Sequence, residues 1–322
     1  MEPDNARELK ARILSLLPVH PFSRRPDAVE RLPWVAVGLA PAAGGRARVA
    51  VRLEQAADRA LLPDLGAAAE REIELRVIGP VRALSSPDPG ALQRRVRPLR
   101  PGLSVAHPSV TAGTLGGFVR TAAGLAVLSN NHVLAATDTG LLGDPVLQPG
   151  PADAGLMADR VAALSAFVRF RDDAPNAVDA AVALLDPAID ADPGDLPGGP
   201  LTGVVPDGLD IDPDEAVEKV GRTTGHTTGR ITAVEVDGVA VQYDRAVHRF
   251  DDQIEIQGAA GTFSAGGDSG SVIWRSRDRA PVALLFAGSS AGGRSGGGVT
   301  FANPLATVLA TLGAEWISGP GG

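Results

Sequence analysis

The chain has no cysteine among its 322 residues, which excludes disulfide bonds and thiolate chemistry alike. Aromatic residues amount to 4%, with a single tyrosine, so the core must rest on Val, Leu and Ala rather than on rings. No uninterrupted apolar run approaches the length of a membrane span, and a membrane partner is not expected. Residues 1–10 hold no apolar stretch of the signal-peptide type, and the expected location is the cytoplasm. Positive charge is in deficit: a net charge of −8 argues against nucleic acid as a partner. No metal-ligand spacing is found, and no cofactor is expected.

What is present begins with an apolar content of 44% and 39 glycines, enough for a packed globule with many turns. The Ala, Gly, Arg and Pro bias is of the kind a GC-rich bacterial genome produces, a matter of codons rather than function. Leu9, Ile13, Leu14, Leu16 and Leu17 recur at helical spacing over 5–17 and stop at Pro18. Residues 34–39 and 47–53 read as strands joined at Gly44-Gly45, a helical stretch comes next near 55–61, and 73–79 reads as a further strand. This predicts a small α+β domain over 1–80, separate from the remainder of the chain. The Pro- and Arg-rich segment 81–101 reads as a solvated linker. From 102 onward strands are short and Gly/Pro punctuation is dense. Residues 114–119, 125–128, 144–148 and 179–185 form one group of strands. Residues 216–220, 229–236, 239–243, 253–257, 272–274, 282–287 and 298–301 form a second. Segment 303–310 predicts a helix with Pro304 in its first turn, and acidic, Pro/Gly-rich 188–210 reads as a connection between the two groups.

Three motifs carry chemistry. Gly267-Asp268-Ser269-Gly270-Ser271 supplies a tight turn that exposes a hydroxyl, with the N–H groups of Gly267 and Ser269 available as an oxyanion hole. His132 comes after the apolar strand 125–128, and Asp179 opens an apolar run. Each has a plain alternative, as a turn, a capping histidine or a strand-edge carboxylate; the conjunction and the order His, Asp, Ser weigh against accident.

On these motifs the chain resembles a chymotrypsin-like (trypsin-fold) serine protease. Residues 221–225, Gly-Arg-Thr-Thr-Gly, look like a segment of the streptogrisins and α-lytic protease. With 263–271 and 285–290 they also resemble a branch that includes the plant narrow-leaf protease. The resemblance implies a mainly β protein of two six-stranded antiparallel barrels, occupying 102–316 behind the small α+β domain. It further implies a triad of Ser269 as nucleophile, His132 as general base and Asp179 as its orienting carboxylate. Asp268 must not stay buried and unpaired, and Lys219 or Arg222 would pair with it inside the fold. The primary pocket would involve Phe263, Ser264 and Gly288. Phe263 would form an apolar pocket base or turn into the core, and Gly288 would lie on the strand that substrate backbone pairs with, leaving the pocket mouth open. His226 reads as a loop residue or a pocket polar group; His107 and His248 have no triad-like context. Cysteines that flank the matching segment in the secreted enzymes are replaced here by Glu218 and a threonine. The expected function is a serine endopeptidase acting on specific intracellular proteins, with the N-terminal domain as a regulatory or docking unit. A latent or inactive trypsin-fold scaffold that binds peptides, and an esterase or acyl transferase with the same triad, are the alternatives.

Overall fold

The computed structural model describes residues 1–18, 23–24, 34–83, 90–205, 211–212, 214–244, 246–293 and 297–319. Gly117–Thr121, Gly124–Ser129, Pro145–Leu147, Arg160–Phe167, Ala181–Leu185 and Glu315–Trp316 form a six-stranded antiparallel sheet. It curls around Leu103, Phe118, Val127, Val133, Leu164 and Ala181, all fully or almost fully buried. Two of its strands are absent from the sequence reading. Arg160–Phe167 is rich in alanine, a weak strand former. Glu315–Trp316 is a strand only because it pairs with Val119 and Arg120, some two hundred positions earlier.

The second body holds all seven of the expected strands. They are Ala216–Gly221, Gly225–Asp237, Val239–Gln242, Gln253–Gly258, Val272–Arg275, Pro281–Gly292 and Gly298–Pro304, with Val247–Phe250 in addition. Val217, Ile231, Ile256, Ile273 and Leu285 fill its interior. The helix Leu305–Leu312 starts with Pro304 at its cap rather than inside its first turn. Its buried positions Leu305, Val308 and Leu309 face Trp274 and Leu284, the 3–4 spacing of one helix face. Among the described residues no helix is long and apolar enough to cross a membrane. The architecture is mainly β.

The N-terminal region departs from the expected separate unit. Its helix Pro3–Leu16 packs on a sheet of Val35–Ala42, Arg46–Leu53 and Ile73–Val77. Val35–Ala42 then pairs antiparallel with the long strand Gly225–Asp237, setting Leu39 opposite Val234 and Val37 opposite Asp237. The two sheets are thus continuous. The expected linker is also structured where it is described. Val81–Ala83 is a strand, Ala91–Gln93 a 3-10 turn, and Leu99 is fully buried in the first core. Gln93 Nε2 donates to the Arg222 carbonyl at 3.0 Å. Linker positions 84–89 and positions 206–210 of the acidic connection lie outside the described residues.

Candidate active site

The strand Gly124–Ser129 ends in a single helical turn, Asn131–Leu134, which carries His132. Asp179 reaches this turn from the loop before Ala181–Leu185. His132 Nδ1 donates to Asp179 Oδ2 at 2.5 Å, and the His132 backbone N–H donates to Oδ1 at 3.2 Å. The loop itself is pinned. Asn130 Nδ2 donates to the Asp179 carbonyl at 2.7 Å, and the Asp179 N–H donates to Asn303 Oδ1 at 3.0 Å. With Nδ1 committed, Nε2 is the free nitrogen; it is buried and has no hydrogen-bond partner among the described residues. A buried ring nitrogen left unpaired calls for an explanation, and catalysis is one.

A fourth side chain joins this pair. Tyr243, the only tyrosine in the chain, donates its hydroxyl to Asp179 Oδ2 at 2.8 Å. Its ring stands 5.6 Å from that of His132. Burial first, and then the charge of Asp179, push the phenol well above its ordinary value of 10.0, so it stays protonated and donates. Sequence reading missed this role. The signal was the residue itself: a lone tyrosine after an apolar run needs a partner for its hydroxyl.

The turn that carries Ser269 lies against the strand Gly124–Ser129. Gly267 and Gly270 have φ of 90° and 94°, the left-handed region that favours glycine. A Cβ at Gly270 would lie 2.0 Å from Ser129 Oγ, so the turn rests directly on the strand that leads to His132. Thr114 ties the two bodies together: its N–H donates to the Ser269 carbonyl and its hydroxyl to the Gly267 carbonyl, both at 2.8 Å. Ser269 is fully buried, and its Oγ lies 3.4 Å from the Phe286 carbonyl. The Gly267 and Ser269 N–H groups donate to no protein acceptor among the described residues.

Asp268 is buried but not alone. It accepts from the N–H groups of Thr223, Thr224 and Ala265 at 2.9, 3.2 and 3.0 Å, and from Thr224 Oγ1 at 2.6 Å. The Lys219 ammonium completes the set at 3.3 Å from Oδ2. Burial lowers the Lys219 pKa, and the Asp268 charge only partly offsets this. Of the two expected partners, Arg222 is not the one: its guanidinium pairs with Asp153, with Nε 2.9 Å from Oδ2. It still borders the turn, since a Cβ at Gly267 would meet its Nη1.

No family model and no curated protein sequence matches the chain. Among solved structures it is similar to Thermobifida fusca protease A, with 16% identity and a TM-score of 0.46, over 69% of this chain and 100% of that one. Cellulomonas bogoriensis chymotrypsin has 18% identity and a TM-score of 0.45, over 68% and 100%. An alpha-lytic protease homolog has 19% and 0.45, over 67% and 98%. The chain is similar in fold to bacterial chymotrypsin-like serine proteases. With identities this low, the chemistry rests on the geometry of the site itself.

The expected pocket residues are placed differently. Phe263 is not a pocket base. Its ring is buried with Val217, Ile231 and Ile256, and its face lies 5.6 Å from the Lys219 ammonium. A buried cation with a carboxylate on one side and a ring on the other keeps Phe263 turned inward. Ser264 is also buried and shares a 2.6 Å hydrogen bond with Thr300. Gly288 lies on Pro281–Gly292 as expected, but the edge there is not open: Arg82 pairs opposite Gly288, and Ala83 opposite Ala287. His226 makes an exposed contact with Glu218 at 2.6 Å and stacks on Trp274. His107 contacts Asp144 at 3.0 Å, and His248 packs near Tyr243 and Phe170.

Proposed function

We propose that the protein is a serine endopeptidase acting on protein or peptide substrates. The observation that carries this reading is His132, oriented by a fully buried Asp179 through Nδ1, with Nε2 buried and unpaired. That is the arrangement a general base needs, because only the correct tautomer leaves a lone pair for the nucleophile. Ser269 Oγ attacks the carbonyl carbon as His132 Nε2 takes its proton. The carbonyl π electrons move to oxygen, and the N–H groups of Gly267 and Ser269 stabilise that oxyanion. Collapse breaks the C–N bond, and His132 returns the proton to the leaving amine. Water, deprotonated by the same nitrogen, then releases the acyl group and restores Ser269. Lys219 and Asp268 hold the turn without any N-terminal amine, so formation of the oxyanion hole requires no N-terminal cleavage.

Labelling with a fluorophosphonate tests the chemistry. Labelling of the wild type, absent in Ser269→Ala and strongly reduced in His132→Ala, is the expected result. Labelling that survives Ser269→Ala would sink the reading.

A further inference from the structure

The edge of Pro281–Gly292 next to Ser269 carries a strand from the chain's own N-terminal half. Val81–Ala83 pairs antiparallel with it, and on its other side runs parallel to Val239–Gln242, with Val81 opposite Val241 and Arg82 opposite Gln242. The three residues therefore sit as a strand inserted between two others. Val81 is buried in one cluster with Ile78, Val241, Phe286 and Ala287. Just upstream, Ile78 lies so close that a Cβ at Gly292 would be 2.5 Å from its Cα.

The direction of the strand gives this pairing a meaning. Arg82 opposes Gly288 and Ala83 opposes Ala287, so the chain runs N to C toward Phe286. The Phe286 carbonyl is the group that the Ser269 hydroxyl faces. An extended peptide bound in this sense would lay the residues before its scissile bond on the edge and point its reacting carbonyl toward Ser269.

We propose that Val81–Ala83 is a substrate-like strand that occupies the acyl side of the cleft in cis and keeps the enzyme latent. The inference rests on the protease reading above. The substrate is accordingly an extended peptide, bound as a strand between Pro281–Gly292 and Val239–Gln242, and it must displace the resident strand to bind. A site filled by its own chain binds its substrate more weakly by the fraction of time it stands empty.

The test uses the full chain with Arg82→Pro and Ala83→Pro together, since proline offers no N–H to either neighbouring strand. Hydrolysis of a mixed pool of extended peptides is compared with fluorophosphonate labelling of Ser269. Peptide hydrolysis in the variant should rise by about tenfold or more over wild type. A variant that is labelled but hydrolyses peptides no faster than wild type overturns the inference while leaving the protease reading intact. Absence of labelling in both proteins overturns the protease reading and this inference with it. A second measurement needs no substitution. Modification of the wild type with a peptidyl phosphonate that spans three residues before the reacting atom should abolish the protection of residues 81–83 against amide hydrogen exchange. A small fluorophosphonate should leave that protection in place. Protection that persists under the peptidyl reagent overturns the proposal.

Discussion

Tyr243 and Lys219 show how single side chains hold this site. The phenol donates to the same Asp179 oxygen that His132 Nδ1 faces, so it stabilises the ionised carboxylate and limits its rotation. Tyr243→Phe keeps the ring and removes only the donor. We expect kcat to fall by about tenfold with KM little changed, the value of one hydrogen bond to a charged group, roughly 1.5 kcal/mol. Steady-state kinetics on the strand-displaced enzyme would read this, and an unchanged kcat would remove Tyr243 from the machinery. Lys219 is the only cation paired with Asp268 among the described residues, both side chains being fully buried. Lys219→Met leaves a carboxylate in the interior with hydrogen bonds but no counter-charge. The expected cost is about 3–5 kcal/mol, read by denaturant unfolding, with fluorophosphonate labelling lost as the turn loosens. Full labelling of a stable variant would mean that the Thr223, Thr224 and Ala265 donors suffice.

At the scale of elements, the six-stranded sheet and the Ser269 turn meet through backbone contacts that leave no room for side chains. A Cβ at Gly116 would stand 2.2 Å from the Gly270 carbonyl oxygen. Gly116→Ala must therefore push the nucleophile turn away from the first barrel. We expect a loss of about 1–3 kcal/mol in thermal or chemical unfolding, the usual cost of overpacking, together with slower Ser269 labelling. Normal labelling in a destabilised variant would show that the turn moves as a unit with its support. The Val81–Ala83 strand belongs to the same scale, because its effect comes from backbone pairing on two edges rather than from any one side chain.

Across the whole molecule, the N-terminal strands are joined to strand Gln253–Gly258 by a buried ion pair. Arg52 Nε and Nη2 donate to the two Glu255 oxygens at 2.6 and 3.0 Å, with both side chains fully buried. Thr232 donates to Glu255 at 2.6 Å, and Arg52 also reaches Glu74 at 3.0 Å. Burial alone would push the Glu255 carboxyl up; the Arg52 charge and the hydrogen bonds outweigh it and hold the group below its ordinary value of 4.5. A carboxyl with a lowered folded value binds fewer protons in the native state. Its contribution is present above pH 4.5 and is lost as pH falls through the folded value. Glu255→Gln should thus destabilise the protein by about 3–5 kcal/mol at neutral pH, and the gap from wild type should narrow in acid. Unfolding curves at both conditions check this; a gap that stays constant would remove the charge of Glu255 from the account. Because the strand Val81–Ala83 descends from this sheet, loss of the pair should also raise peptide hydrolysis.

Residues contiguous in the chain were the readable part. Gly-Asp-Ser-Gly, the histidine after its strand and the aspartate before the next are local patterns, each set by what a turn or strand end can accommodate. The same holds for most strands of both barrels and for the helix after Pro304. Long-range closure decided the rest. Phe263 faces Lys219 and not a pocket, Arg222 is drawn to Asp153, and Tyr243 finds Asp179, 64 positions earlier. Thr114 finds the turn of Ser269, and Arg82 finds Gly288, across gaps that no local pattern can bridge. By itself the sequence determined which chemical groups the protein carries and the short-range geometry that presents them, because adjacent residues share one backbone. Only the tertiary structure decided which groups are paired, buried or blocked, because those states depend on partners that packing alone brings together.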